Sequence, residues 1–187
     1  MQDYPSEKLE KLKLVVPTLK FLVIGHKSHG KDYLVNLMIK YLEIKFASTT
    51  VVMCEEFIFD VLKDELEYKT PAECHADRDN HRPIWFQLTK LFCYHDKTAL
   101  IRKVLSDNVG YNGLRNVDEL NAAKELGLFD LTIWVDACIR MPLEDSRSMT
   151  VTANDAEYFF DNNVKTIEAA HYQLELLFDY IYDNYCL

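Results

Sequence analysis

Apolar residues occur along this chain in two patterns, short unbroken runs and stripes with helical spacing. The unbroken runs predict five strands, at residues 19–24, 46–52, 109–115, 129–136 and 156–161. The helically spaced stripes predict helices at about 30–43, 97–106, 116–126 and 164–185. Strands that alternate with helices form a parallel sheet covered by helices. The pattern therefore predicts an α/β fold with a five-stranded parallel sheet.

Three stretches depart from this alternation. Residues 1–18 are charged except for a short apolar run closed by Pro17, and we interpret them as an arm or an edge element. Residues 53–98 are helical with irregular spacing, which predicts a helical insertion. Residues 137–153 are polar and without a period, which is typical of a mobile lid. The chain has no internal repeat, so we expect one domain over residues 1–187.

The first predicted strand runs directly into a turn bounded by two glycines. Four residues separate Gly25 from Gly30, and Lys31 and Asp32 follow at once. This is the spacing G-x-x-x-x-G-K-[ST] of a phosphate-binding loop, apart from its last residue. Glycine lets backbone N–H groups approach phosphates closely, and the following helix directs its positive dipole end at them. Lys31 would add an ammonium group against the terminal phosphates.

Asp32 changes the chemistry expected at the end of this turn. Serine or threonine would offer a neutral oxygen to magnesium, whereas Asp32 offers a charged one, which magnesium also accepts. A carboxylate repels phosphate unless a metal ion lies between them, so Asp32 would make the site more dependent on metal. The alternative is a plain corner between a strand and a helix.

Several polar residues further along suit a second ligand. Ser48 and Thr49 follow the second strand and would either hold a substrate or cap the next helix. The spacing of Arg78, His81 and Arg82 would allow a shared helical face that suits an anion, although this spacing alone favours a solvated face. Two further positions are Trp85, interpreted mainly as a core residue, and Asp136, which ends the fourth strand at the ligand edge of the sheet.

Composition narrows the possible functions. The chain has 187 residues, of which 49% are hydrophobic, and a formal net charge of −9. This charge disfavours a nucleic-acid binder, which would carry a basic face. The five cysteines form no C-x-x-C pair, which favours reduced thiols in a cytosol. The polar N-terminus and the absence of a long apolar run predict neither a signal peptide nor a membrane span. We therefore expect a cytoplasmic protein.

Six motifs occur in a fixed order along the chain. They are GHKSHGKD at 25–32, FASTT at 46–50, DRDNHRPIW at 77–85, YNGLRN at 111–116, IWVDA at 133–137 and DNN at 161–163. This series resembles the bacteriophage deoxynucleoside monophosphate kinases, a branch of the P-loop kinases close to adenylate kinase. Animal-type phosphomevalonate kinases are a more distant match. The resemblance covers roughly residues 19–185, and a phage protein would act in the host cytoplasm.

The resemblance implies a three-layer P-loop kinase fold that transfers a phosphoryl group from ATP to a nucleoside monophosphate with Mg²⁺. It implies an ATP site formed by Gly25, His26, Lys27, Ser28, His29, Gly30, Lys31 and Asp32. It implies an acceptor site formed by Ser48, Thr49, Arg78, Arg82, Trp85, Gly113 and Arg115. The catalytic cations would be Lys31, Arg115 and two lid arginines, Arg140 and Arg147, and the metal ligands would be Asp32 and Asp136.

One residue departs from the adenylate kinase pattern. Those enzymes have an acidic residue before the glycine that follows the third strand, and this chain has Asn112 there. Asp136 or Asp32 would have to replace that carboxylate. Two alternatives therefore stay open, a P-loop kinase of another small phosphorylated acceptor and a nucleotide-binding module without catalysis. The base and sugar of the acceptor, and the choice between monomer and homodimer, are not determined by the sequence.

Overall fold

A computed structural model describes residues 4–145 and 149–186. Its centre is one sheet whose five strands are all parallel. The strands are β1 (Phe21–Ile24), β2 (Phe46–Ser48), β3 (Gly110–Asn112), β4 (Leu131–Asp136) and β5 (Tyr158–Asp161), in the spatial order β2-β3-β1-β4-β5. The predicted five-stranded α/β fold is thereby confirmed.

Helices cover the sheet. They are α1 (Ser6–Val15), α2 (Lys31–Leu42), α3 (Thr49–Met53), α4 (Phe59–Leu62), α5 (Pro71–Ala76), α6 (Arg82–Phe92), α7 (Ala99–Leu105), α8 (Val117–Glu125) and α9 (Ile167–Tyr185). A π-helical turn (Cys54–Ile58) and three 3₁₀ turns (Val16–Thr18, Arg78–His81 and Ala153–Asp155) join them. Within residues 4–145 and 149–186, no helix combines the length and the apolar character needed to cross a membrane.

Strand β1 shows why the sheet is covered on both faces. All four of its residues are buried, and alternate side chains of a strand point to opposite faces. Phe21 and Val23 join a core that includes α1, α2 and α9. Leu22 and Ile24 join a second core that includes helices of the insertion, α7 and α8. Two cores separated by one sheet are compatible with a three-layer α/β arrangement.

The strand order determines where a ligand can bind. Adjacent strands β1 and β4 pair in register, and the chain leaves β1 toward β2 but leaves β4 toward β5. In open α/β sheets, ligands bind outside the carboxyl ends of strands where the connections diverge in this way. The turn after β1 and Asp136 at the end of β4 lie at this edge.

Two sequence-based predictions about element boundaries were wrong. Among residues 4–18 the interpretation as an arm is wrong, because Tyr4 makes a ring contact with Phe178 and Lys8 of α1 forms a 2.7 Å ion pair with Asp179, which packs this segment against α9. Strand β2 ends at Ser48 instead of continuing to residue 52. Its neighbour β3 ends at the paired residue, Asn112, so the ladder has no further partner.

The position of α1 can be tested with two leucines on the same helix. Leu12 is 0% exposed in the core, whereas Leu14 is 77% exposed. We expect Leu12→Ala to lower the free energy of unfolding by about 2–5 kcal/mol, because the substitution leaves a cavity. The matched control Leu14→Ala should change it by less than about 0.5 kcal/mol. Urea denaturation measures both, and equal effects would contradict the packing of α1.

Candidate functional site

The turn between β1 and α2, residues 25–30, lies directly against β4. Gly25 has a φ of 144°, and a Cβ atom there would lie 2.4 Å from the carbonyl oxygen of Val135. Gly30 has a φ of 97°, which also favours glycine. The φ angles of both positions therefore favour glycine, and at Gly25 the Val135 carbonyl also leaves no room for a Cβ atom.

Asn162, which follows β5, fixes the second half of this turn. Its buried side chain donates from Nδ2 to the carbonyl oxygen of His29 at 2.7 Å, and its own N–H donates to the carbonyl of Asp136 at 2.7 Å. A Cβ atom at Gly30 would lie 2.0 Å from Asn162 Nδ2. Arg140 Nε donates to the Asn162 carbonyl at 2.7 Å. The ends of β4 and β5 thus hold the turn in place.

Two histidines of the turn bind the segment that follows β4. His29 is buried, and its Nδ1 accepts the N–H of Ala137 at 3.0 Å while its Nε2 lies 3.4 Å from the carbonyl oxygen of Pro142. His26 Nδ1 accepts the N–H of Glu144 at 3.1 Å. Burial, with a smaller contribution from His29, lowers the pKa of His26. An Nδ1 that accepts a hydrogen bond carries no proton, so these contacts need a neutral ring.

A carboxylate occupies the space between the turn and Arg115. Glu144 Oε2 accepts the backbone N–H of Lys27 at 2.6 Å, and its Oε1 accepts a hydrogen bond from Arg115 Nη1. Burial alone would raise the pKa of Glu144, but the Arg115 guanidinium and the Lys27 N–H together lower it. We call this position, between the Lys27 N–H and the Arg115 guanidinium, the anion seat.

Lys31, the first residue of α2, folds back over the turn. Its Nζ donates to the carbonyl oxygens of Gly25 and His26 at 2.9 and 2.8 Å. Burial and the nearby Arg115 lower the pKa of Lys31. The ammonium group and the guanidinium are therefore close enough to influence one another, and both belong to the surroundings of the anion seat.

The two predicted metal ligands differ in their surroundings. Asp32 is exposed, and its Oδ1 accepts Asn112 Nδ2 at 2.7 Å. Asp136 is buried, and its Oδ2 accepts the Cys138 N–H at 3.2 Å and Asn163 Nδ2 at 2.8 Å. Burial raises the pKa of Asp136, but the bonds from Cys138 and Asn163 outweigh it and lower the pKa. Asp136 is thus already engaged in bracing the strand ends, whereas Asp32 is accessible.

No group of three or more histidine, cysteine, aspartate or glutamate side chains in the described part of the chain can hold a metal ion. Magnesium usually binds through one or two carboxylates together with substrate phosphates. The exposed carboxylate of Asp32, at the start of α2, fits such a role.

Three of the predicted acceptor residues, Ser48, Arg78 and Trp85, lie around Thr50 and His75 beyond the end of β2, and we call these five residues the acceptor cluster. Thr50 Oγ1 lies 3.0 Å from Ser48 Oγ and 3.0 Å from His75 Nε2, and it accepts Arg78 Nη1 at 3.0 Å. Trp85 stands edge-on to His75, with ring centroids 6.0 Å apart, and its buried Nε1 has no hydrogen-bond partner among the described residues.

Thr49 and Gly113 connect the acceptor cluster to the central strands. Thr49 Oγ1 donates to the Asn112 carbonyl at 3.3 Å, and the Gly113 N–H donates to the Val23 carbonyl at 2.9 Å. Arg82 does not contact Thr50 or His75; it is exposed and lies 3.7 Å from Asp79. The predicted lid residue Arg147 lies outside the described residues.

A cleft of about 380 Å³ opens beside the turn. The cleft is lined by Arg140 and by residues of the turn, of α2, of the β5–α9 connection and of α9. These residues include Ser28, Gly30, Tyr33, Asn162, Thr166 and Ile167. Arg140, predicted as a lid cation, thus faces the cleft and is anchored on Asn162.

The sequence analysis missed two residues of this site. Asn162 belongs to the DNN motif, but nothing in the motif shows that its amide reaches the turn. Glu144 is one of several acidic residues in an aperiodic stretch, and no local pattern distinguishes it.

Comparison with protein families, curated proteins and solved structures gives no match to this chain.

The clamp on the turn can be tested with two glycines of the same φ. Gly30 and Gly113 both have φ of 97°, but a Cβ atom at Gly113 meets nothing within 4 Å. We expect Gly30→Ala to lower the free energy of unfolding by about 1–3 kcal/mol more than Gly113→Ala, because it also clashes with Asn162. Chemical denaturation of the two variants measures the difference. Equal losses of unfolding free energy would show that the positive φ, and not the clash with Asn162, accounts for the cost of both substitutions.

The neutral ring of His26 predicts a pH dependence of stability. Because its pKa is lowered in the folded chain, the unfolded chain takes up the proton first as the pH falls. The contribution of the neutral His26 ring to folding stability is therefore fully present above the ordinary histidine pKa of about 6.5, and it is lost as the pH falls below that value. His26→Asn keeps an acceptor for the Glu144 N–H without a titrating ring, so its stability should fall less between about pH 7.5 and 5.5. Thermal unfolding measures this, with the exposed His95→Asn as control.

Proposed function

We propose that this protein is a nucleotide kinase that transfers the γ-phosphoryl group of ATP to a (deoxy)nucleoside monophosphate, giving the diphosphate and ADP. The observation that carries the proposal is the anion seat, in which the Lys27 N–H and the Arg115 guanidinium donate to the two oxygens of one carboxylate. A phosphate group has the same charge sign and the same kind of acceptor oxygens. Donors that converge on a carboxylate therefore suit a phosphoryl group.

The donor nucleotide would lie along the turn. Its phosphates would meet the N–H groups of the turn, the N-terminus of α2 and the Lys31 ammonium, which is the arrangement that stabilises polyphosphates. The cleft lined by Tyr33, Arg140 and Thr166 opens beside the same turn and has a volume of about 380 Å³. That size is within the range of small-molecule sites, so we assign this cleft to the nucleoside of ATP.

The acceptor would bind at the cluster around Thr50. Arg78 and the hydroxyl groups of Ser48 and Thr50 offer a cation and donors. Trp85 has a buried indole N–H without a partner among the described residues, so a polar atom of an incoming ligand would satisfy it. This cluster therefore supports an acceptor that carries an anionic group and a polar atom, which a nucleotide has. Arg82 is exposed and lies 3.7 Å from Asp79, so we assign it no direct contact with the acceptor.

Phosphoryl transfer depends on positioning and on positive charge around the moving group more than on a strong base. Lys31 and Arg115 would surround that group, and Arg140 would approach from the cleft side. Arg147 remains a predicted lid cation. Magnesium, held by Asp32 together with the phosphates, would neutralise charge on the phosphate oxygens. No nucleophilic side chain is needed in this reaction.

The test is an assay of ADP formation from ATP with Mg²⁺ and a panel of ribo- and deoxynucleoside monophosphates. We expect ADP only when an acceptor is present. Lys31→Met should lower the rate at least about 10²–10³-fold, because it removes a preorganised charge from the transferring group. The control Lys45→Met, at an exposed lysine before β2, should keep the normal rate.

Three results would contradict parts of the proposal. A normal rate in Lys31→Met would exclude the assigned role of that lysine. ADP formation with none of the nucleotides, but with another phosphorylated small molecule, would exclude the acceptor class. Tight ATP binding without any transfer would indicate a nucleotide-binding module that does not catalyse.

A further inference from the structure

We propose that Glu144 is a self-inhibitory plug, whose carboxylate fills the anion seat when no ligand is bound and must leave before a phosphoryl group enters. The inference rests on the proposed function, since it concerns the regulation of the same site. It assigns a role to a residue that neither the loop motif nor the resemblance singles out.

Three contacts hold the plug in the seat. The carboxylate accepts the Lys27 N–H at 2.6 Å and a hydrogen bond from Arg115, and the backbone N–H of Glu144 donates to His26 Nδ1 at 3.1 Å. The Glu144 side chain is 16% exposed, whereas that of Arg115 is 41% exposed. The carboxylate is therefore more deeply placed than the guanidinium and lies on the loop side of it.

The rest of the segment that follows β4 is held by the same turn. His29 accepts the Ala137 N–H and lies 3.4 Å from the Pro142 carbonyl oxygen. Residues 137–144 are thus attached to the turn at both ends. This attachment gives the plug a defined resting position, which a freely moving glutamate on an open loop would not have.

A phosphoryl group and the Glu144 carboxylate cannot use the seat together. Both are anions, and both need the Lys27 N–H and the Arg115 guanidinium. Two like charges at hydrogen-bond distance in a partly buried site repel strongly. Arg115 would therefore exchange one anion for the other, and it would become available for phosphate only when the plug is withdrawn.

This competition has a quantitative consequence. When only a fraction of molecules is competent to bind, the apparent Kd equals the intrinsic Kd divided by that fraction. If the plug occupies the seat in about nine of ten molecules, its removal tightens binding about tenfold, which corresponds to about 1.4 kcal/mol. A plug held by two hydrogen bonds to a charged group is consistent with an effect of at least this size.

The test compares Glu144→Gln with the wild-type chain, using inorganic tripolyphosphate and Mg²⁺-ATP as probes in titration calorimetry. We expect Glu144→Gln to bind both probes about tenfold more tightly, because the neutral amide no longer neutralises Arg115. Glu125→Gln is the matched control. It removes one negative charge from an exposed position at the end of α8 and should bind like the wild type.

A second measurement needs no variant. In the wild-type chain, NMR should show the Lys27 amide resonance and the Glu144 side-chain carboxyl carbon resonance moving together as tripolyphosphate is added. Both should follow the same binding curve, because the ligand takes the Lys27 N–H from Glu144. Movement of the Lys27 resonance without movement of the Glu144 carboxyl carbon would overturn the plug.

The outcomes separate this inference from the proposed function. Equal or weaker binding of tripolyphosphate by Glu144→Gln overturns the plug and leaves the phosphate site intact. Absence of binding by the wild type and by Glu144→Gln overturns the phosphate site and the plug with it. Tighter binding by Glu144→Gln, with Glu125→Gln unchanged, supports the plug.

Discussion

The site depends on the close contact between the turn at residues 25–30 and the ends of β4 and β5. Gly25 lies so near the Val135 carbonyl that no side chain fits, and Asn162 holds the His29 carbonyl from the other direction. Backbone N–H groups can bind an anion only if their directions are fixed before the anion arrives, since reorienting them would cost part of the binding energy. The packing of the ends of β4 and β5 against the turn supplies this rigidity. The Lys27 N–H is therefore aimed at the anion seat by the fold itself.

Two cations of the site oppose the negative charge of the whole molecule. The chain carries a formal net charge of −9, which by itself would repel a polyphosphate. Lys31 and Arg115 oppose this locally, but the pKa of Lys31 is lowered, mainly by burial and to a smaller extent by the charge of Arg115. Glu144 resolves the conflict in the ligand-free chain by supplying a negative charge between the turn and Arg115. The pair of cations proposed to hold a phosphoryl group thus also explains why a carboxylate lies in the anion seat.

The sequence predicted what depends on local pattern and missed what depends on tertiary contacts. Strand β1, helix α2 and the two glycines could be predicted because burial, helical spacing and backbone conformation leave local signals. The length of β2 could not, because it is limited by the end of β3, about 60 residues away in the chain. Glu144 could not be found for a related reason. Its role arises from contacts with Lys27 and Arg115, more than 25 residues away in sequence, and residues 137–153 have no period that would fix their positions.

The pair formed by Asp32 and Asn112 shows how two departures from a familiar pattern can compensate. Asp32 stands where the loop motif has serine or threonine, and Asn112 stands where adenylate kinases have an acid. The two side chains are joined by a 2.7 Å hydrogen bond in which the amide donates to the carboxylate. An acid at position 112 would put two carboxylates at that distance, and without a metal ion between them they would repel. With asparagine there, Asp32 stays oriented when no ligand is bound, and its charge remains available to a metal ion. Asparagine at position 112 therefore does not argue against the proposed metal-dependent site, because Asp32 in the first turn of α2 would supply a carboxylate to it.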